Sequence, residues 1–308
     1  MYKFLLVPLA SLALFAQEAI TPIPENIVYE KAKAELGKKL FFDKELSKDG
    51  KFSCASCHHV YNNGAGEKQY SIGSGGKELN MNTPTLFNAA LNSSFFFDGR
   101  TQDRKKQVEI SIESSQELDN SVDAILNRVK QSQEYKKMFD AAYKDSVTKD
   151  NLLDAIAEFE RALSTPNSKF DKFLGGDDNA ISSKAKRGYK KFISMGCVSC
   201  HNGVNLGGNL YQKMGLYTPY TQDKILNGRI DVTSRDRDRY VYKVPSLRNI
   251  AKTAPYMHDG QVKTLKAAIK SMREHQLGVT NDSKSIEEIE AFLKTLNGDI
   301  PAILKEER

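Results

Sequence analysis

The sequence contains no tryptophan, so chemistry that runs through an indole side chain is excluded. Cysteine and histidine are scarce, with four of one and five of the other in 308 residues. Four cysteines are too few for a disulfide-dense scaffold. Charge of one sign never gathers into a block: the formal net charge of +6 is spread over 45 basic and 39 acidic residues. A nucleic-acid interface needs a clustered basic face and is not expected. No apolar run reaches the ~20 residues that a membrane-spanning helix requires. With 40% apolar residues there is material for a buried core, while 27% charge and a mean hydropathy of −0.51 describe a soluble product. The length allows two domains.

What is present begins at the N-terminus. Lys3 precedes the apolar run Phe4-Leu5-Leu6-Val7-Pro8-Leu9-Ala10, which continues through Leu14 and Phe15 to Ala16. A charged residue, a short apolar stretch and a small residue read as a signal peptide over residues 1–16, and Pro8 argues against an anchor. No integral membrane segment is expected after its cleavage. In the oxidising compartment reached by export, four cysteines would ordinarily form two disulfides.

Their spacing points elsewhere. Cys54-Ala55-Ser56-Cys57-His58 and Cys197-Val198-Ser199-Cys200-His201 repeat one pattern, C-x-x-C-H, and together use every cysteine. Two thiols at this spacing reach the two vinyl groups on one porphyrin edge, and the adjacent imidazole turns under the iron as proximal ligand. A zinc ribbon would use the same thiols but leave His58 and His201 unexplained and bring its pairs closer together. The sequence therefore predicts two covalently bound haem c groups, whose propionates offset much of the positive charge.

The two motifs lie 143 residues apart, each behind an expected helix, at 27–42 and 183–195. That is an internal duplication of haem units. Leu152, Ile156, Phe159 and Leu163 recur at helical spacing before Pro166. Residues 167–179, with Gly175-Gly176-Asp177-Asp178-Asn179, read as a loop and as the domain boundary. Ser285-x-x-Glu288 reads as a capping box opening a last helix that carries Ile286, Ile289, Phe292, Leu293 and Leu296, with Asn297-Gly298 as its stop. Strand signals are sparse. The expected fold is mostly α: two cytochrome c-like haem domains, 17–166 and 167–308, with long irregular loops.

Further motifs follow each haem site in a characteristic order. After the first come Ser71-Ile72-Gly73, then Asn82-Thr83-Pro84-Thr85 with Asn88, then Phe96-Phe97-Asp98-Gly99-Arg100. After the second come Tyr242-Lys243-Val244-Pro245-Ser246-Leu247-Arg248-Asn249, Thr253-Ala254-Pro255-Tyr256-Met257-His258-Asp259-Gly260 and Gln276-Leu277-Gly278. In these the chain resembles the bacterial dihaem cytochrome c peroxidases over nearly its whole length. The resemblance implies a periplasmic enzyme that reduces hydrogen peroxide to water with electrons from a small c-type cytochrome or similar donor, commonly as a homodimer. It implies that the C-terminal haem accepts electrons, with Met272 opposite His201, and passes them to the N-terminal peroxidatic haem. By itself Met272 reads as helix-core filler. The resemblance also makes Glu117 the acid–base group of the first haem and Gln107 its hydrogen-bonding partner, where both would otherwise read as solvated helix residues. A calcium ion between the domains is implied, held by the Asn82 side chain and the carbonyls of Thr253 and Pro255. His258 is expected to be a buried hydrogen-bonding residue rather than an iron ligand.

The chain departs from the family pattern twice. Ser74 stands where many members carry a histidine that caps the oxidised peroxidatic iron, so the first haem is expected to be open even when oxidised. Met81 is a weaker substitute ligand, and His59 is expected to be packing or surface. Phe97 stands on the electron path where members tend to carry tryptophan, and phenylalanine is far harder to oxidise. Two alternatives remain at this point: a dihaem electron carrier, which needs both irons fully ligated and has no use for Glu117, and a haem oxidant of a partner protein, whose relatives place a tyrosine where this chain has Met272.

Overall fold

A computed structural model describes residues 19–222, 224, 226–280 and 282–305. The expected signal peptide, 1–16, lies outside the described residues. The first helix, α1 (Lys31–Phe42), turns Leu36 and Leu40 to one core and Ala34 and Phe41 to another. It is followed by α2 (Cys54–Cys57), α3 (Arg104–Glu113), α4 (Val122–Val129), α5 (Gln133–Ala142) and α6 (Lys149–Ala162). In α6, Leu152, Ile156 and Phe159 are buried at the expected spacing, and Leu163 caps the helix. α1 and α6 cross closely at Gly37, where a Cβ would overlap the Ala155 carbonyl and press on Phe159. Only a glycine lets the two backbones approach this far.

The second half repeats the arrangement. α7 (Lys169–Leu174) leads to α8 (Ser183–Ser194), then come α9 (Ile230–Thr233), α10 (Leu265–His275) and α11 (Ser283–Leu293). α8 crosses α11 at Gly188, packed on the Glu288 carbonyl and Phe292 as Gly37 is on Ala155 and Phe159. The β structure among the described residues is a two-stranded antiparallel ribbon, β1 (Tyr211–Lys213) with β2 (Val241–Lys243), in register Gln212 opposite Tyr242, and a few isolated bridges. The structure is therefore mostly α with long irregular segments. Phe159 and Phe292 are fully buried, each contributing about 2–3 kcal/mol of apolar burial.

Each chain end packs on the opposite half. Ile20 joins the core built on Phe170, Phe192 and Phe292, and Ile303 and Leu304 join the one built on Phe41 and Phe159. The Lys38 ammonium donates to the Ile303 carbonyl at 2.9 Å.

Two local expectations are corrected. Residues 167–179 are not all loop, because α7 lies within them. Ser168 Oγ accepts from Asp171 N while Asp171 accepts from Ser168 N, a reciprocal cap that starts a helix. The last helix begins at Ser283, not Ser285: Asp282 is its cap and accepts from Ser285 N. Glu288 is used instead to tie α11 to α8 through Arg187 at 2.6 Å and Lys191 at 3.2 Å.

Candidate haem sites and their asymmetry

None of the four motif cysteines is paired in a disulfide. Burial pushes Cys54 and Cys57 upward and Cys197 up to about 11. That is opposite to the lowered pKa of reactive redox pairs. His58 Nδ1 lies 3.3 Å from the Gly64 carbonyl, and His201 Nδ1 lies 3.3 Å from that of Leu206. A carbonyl only accepts, so Nδ1 carries the proton in each ring and Nε2 keeps its lone pair. Burial takes both imidazoles down to about 4, against the pull of these carbonyls, so they are neutral at physiological pH, the form that ligates a metal.

The first motif opens on a small cavity of about 50 Å³. Cys54, Cys57 and His58 line it with the apolar Phe41, Val108, Ile112 and Ile156. Gln107, Ser111, Glu117 and Glu160 supply its polar groups. Gln107 Oε1 and Glu160 Oε2 are buried with no hydrogen-bond partner, which is what a site shaped for an absent group looks like. Burial raises the Glu117 carboxyl, opposed by the Ser111 and Ser114 hydroxyls and the charge of Arg100. An apolar, thiol-bearing cavity with a neutral imidazole fits a covalently held haem.

Beside Gly73, which lines this cavity, Ser74 is buried and its N–H donates to the Glu117 carbonyl at 2.7 Å. A Cβ on Gly73 would overlap the Gln116 carbonyl. Met81 is half-buried and is not among the residues lining the cavity.

The two halves share backbone landmarks 161 positions apart. Asn88 and Asn249 both adopt left-handed φ, 60° and 61°, as do Gly99 and Gly260, at 64° and 63°. Asp103 caps α3 as Thr264 caps α10. Phe97 and His258 occupy equivalent positions and meet, with ring centroids 6.4 Å apart at 67°. Around them Asn82 N donates to the His258 carbonyl at 2.9 Å, and its counterpart Lys243 N donates to the Phe97 carbonyl at 2.6 Å.

In this register Met272 of α10 takes the position held by Ser111 in α3. Leu265, Ile269 and Met272 fall at helical spacing, and Leu265 and Ile269 belong to the core that packs Cys197 and Val198. Ala268 stands where the first half has Gln107. At these two positions the first half is polar and the second apolar. Ser111 and Glu160 were missed from sequence; the offset between the repeats was the signal for Ser111.

His258 is buried, as expected. Its Nε2 lies 3.0 Å from Gln222 Oε1, and its ring stacks on Tyr242 at 4.1 Å. Asn82 is buried and donates its side-chain N–H groups to the Lys68 and Gln69 carbonyls, both at 3.1 Å. Among the described residues no three His, Cys, Asp or Glu side chains are grouped to hold a metal. No described helix is long and apolar enough to cross a membrane.

Two cytochrome c-like halves, each with a neutral imidazole beside paired thiols, and with Gln107 and Ser111 of the first replaced by Ala268 and Met272 in the second, define a dihaem c-type cytochrome with unequal sites. Comparison with known proteins makes the class specific. A sequence model described as di-haem cytochrome c peroxidase matches residues 31–179. The cytochrome c551 peroxidase of Nitrosomonas europaea is 42% identical over 287 residues, 93% of this chain and 86% of the relative. That of Pseudomonas aeruginosa is 38% identical over 300 residues, 94% of this chain and 87% of the relative. A solved MauG-like protein associated with microbial copper homeostasis superposes with a TM-score of 0.79 at 26% identity, covering 90% of this chain and 93% of that one. The chain belongs to the di-haem cytochrome c peroxidase family and is a haem-dependent peroxidase.

Proposed function

We propose that the protein is a periplasmic peroxidase that reduces hydrogen peroxide with electrons from a small c-type cytochrome. The N-terminal half, 17–166, is the peroxidatic domain and the C-terminal half, 167–308, the electron-accepting one. The observation that carries this reading is the polar cavity beside Cys54, Cys57 and His58, against Met272 and apolar neighbours at the matching positions of the other half. The haems, when bound, supply iron for peroxide and a path for electrons.

The chain's own residues supply the rest. With haem bound, His58 and His201 would ligate through Nε2, and Met272 would be the second haem's other protein ligand. Cys54, Cys57, Cys197 and Cys200 fix the porphyrins. Glu117, as carboxylate, takes a proton from one peroxide oxygen and gives it to the other, which departs as water. Gln107 holds peroxide through the amide whose oxygen has no partner in the protein. Phe97, against His258, lies between the halves on the electron route. Asn82, Thr253 and Pro255 hold calcium through oxygen ligands, and the enzyme works as a homodimer. Ser74, tied to the Glu117 backbone, offers no imidazole that would close the first iron in the oxidised enzyme.

The test is peroxide turnover by fully oxidised enzyme and by enzyme pre-reduced by one electron, each supplied with a reduced small cytochrome c. Equal, immediate turnover is expected. Turnover only after pre-reduction refutes the open resting site, and none with any competent donor refutes the peroxidase.

A further inference from the structure

Peroxide reduction takes up two electrons and two protons and yields two waters. Glu117 moves a proton from one peroxide oxygen to the other and supplies none on balance, so a peroxidatic cavity needs a second route by which protons enter. Glu160 lies on α6, one turn beyond Ile156, and lines the same cavity as Gln107 and Glu117. It is 5% exposed, and its Oε2 is buried without a hydrogen-bond partner. A buried, unpartnered carboxyl is costly in a core and needs an explanation.

The other half shows that the fold does not require it. The α1–α6 crossing at Gly37, Ala155 and Phe159 repeats at Gly188, Glu288 and Phe292. In that register the residue after Phe159 is Glu160 and the residue after Phe292 is Leu293, also buried. The same slot thus holds a carboxyl lining the first cavity and a leucine in the core of the second half.

We propose that Glu160 is a second proton-transfer group of the first haem cavity, a carboxylic acid that delivers a proton consumed in peroxide reduction. This rests on the peroxidase reading above. The O–H bond of Glu160 breaks as its proton passes to the second peroxide oxygen on that oxygen's way to water, and solvent water returns a proton to the carboxylate before the next turnover. The electrons come from the donor cytochrome.

The surroundings favour the acid form. Burial pushes the Glu160 carboxyl up to about 8, and the opposing charge is Arg104 on α3. Cys54 on α2 becomes a thioether in the haem-loaded protein and has no proton to exchange. Lys38 on α1 is committed to the Ile303 carbonyl, and Asp123 and Arg128 of α4 are exposed. Glu160 therefore holds its proton at neutral pH and loses it as pH rises through about 8.

The experiment is a potentiometric titration of the first haem in haem-loaded enzyme from neutral to alkaline pH, with kcat measured on the same samples, for the native protein and Glu160→Gln. In the native enzyme the potential is expected to start falling as pH passes about 8, because a new negative charge favours ferric iron, and kcat falls in the same range. In E160Q this break is absent and kcat is lower by roughly 100-fold with KM for peroxide unchanged. A native potential without that break overturns the proposal with no variant needed. So does an unchanged kcat in E160Q, or a break that survives the substitution. A protein that turns over no peroxide but shows the break would end the peroxidase reading while leaving the ionisation of Glu160 intact, so the two failures are distinguishable.

Discussion

Arg248 is a fully buried cation, and its removal gives a prediction that the structure sizes. Its guanidinium donates to Asp171 Oδ1 at 2.7 Å, Ser168 Oγ at 3.4 Å, the Val204 carbonyl at 2.9 Å and the Thr21 carbonyl at 2.9 Å. In Arg248→Met, Asp171 keeps Ser168 N at 3.0 Å, Ser168 Oγ at 2.7 Å and Ile23 N at 3.2 Å, but its charge loses the cation. Removing one member of a buried pair costs about 3–5 kcal/mol. The three remaining donors hold that term near its lower end, while the stranded Val204 and Thr21 carbonyls add about 1 kcal/mol or more. The expected loss is about 4 kcal/mol. Adding Asp171→Asn removes the uncompensated charge, so the double variant is expected to be more stable than the sum of the singles by about 2 kcal/mol. With no tryptophan to report, urea unfolding of haem-loaded protein is followed by far-ultraviolet circular dichroism and Soret absorbance. A single-variant loss below about 1 kcal/mol, or strict additivity, refutes the account of Arg248 as the tie between α7 and the chain's first described residues.

Glu117→Gln is expected to lower kcat by roughly 100-fold or more, measured by steady-state peroxide turnover. In its proposed role Glu117 accepts a proton, so activity is expected above its folded pKa and is expected to be lost as pH falls through it. Burial raises that pKa, so the acidic limb lies above the ordinary carboxylate range and disappears in the variant. Chelation is expected to reduce turnover, and added calcium to restore it; Asn82→Ala needs more calcium for the same recovery. A chelator-treated enzyme with full activity and no bound calcium refutes the calcium site.

The haem attachment points were legible because covalent geometry fixes their spacing, and α8 was legible because Ser182 and an amphipathic run fix its start. The expected helix at 27–42 begins four residues later, at Lys31. α7 stayed hidden because the Gly175–Asn179 run outweighs a six-residue helix, although Ser168-x-x-Asp171 was a readable cap. At the last helix two overlapping cap signals competed, and Asp282 holds the position that Ser285 suggested. Glu160 was unreadable for another reason. It sits within the apolar periodicity of α6 as one polar residue among many, and only the packing shows that it is buried against a cavity. The offset between the halves also changes, from 143 at the cysteines to 161 at the helices that face the sites and 133 at the closing helices. No single alignment shift brings Ser111 onto Met272 and Glu160 onto Leu293 together; the backbone landmarks do.

That register makes the difference between the two sites a matter of few side chains. α3 and α10 start at matching caps and pack against the matching closing helices α6 and α11, so position 111 in one half and position 272 in the other answer to the same backbone slot. Ser111 spends its hydroxyl on Glu117, whereas Met272 carries a thioether that raises a haem's potential and blocks an added ligand. If slot chemistry decides which site is open, Ser111→Met closes the first iron: its oxidised spectrum turns from high-spin to low-spin, and peroxide turnover falls because the thioether competes at high effective concentration. Met272→Ser does the reverse, giving the second haem a high-spin component and a lower potential, with slower uptake of electrons from the donor cytochrome. Ser111→Met also takes a hydroxyl away from Glu117, so spin state, rather than turnover, is the readout that reports the slot. A Ser111→Met protein that stays high-spin with full turnover shows that α3 does not present this position to the iron, and the assignment of Met272 through the shared register then falls with it.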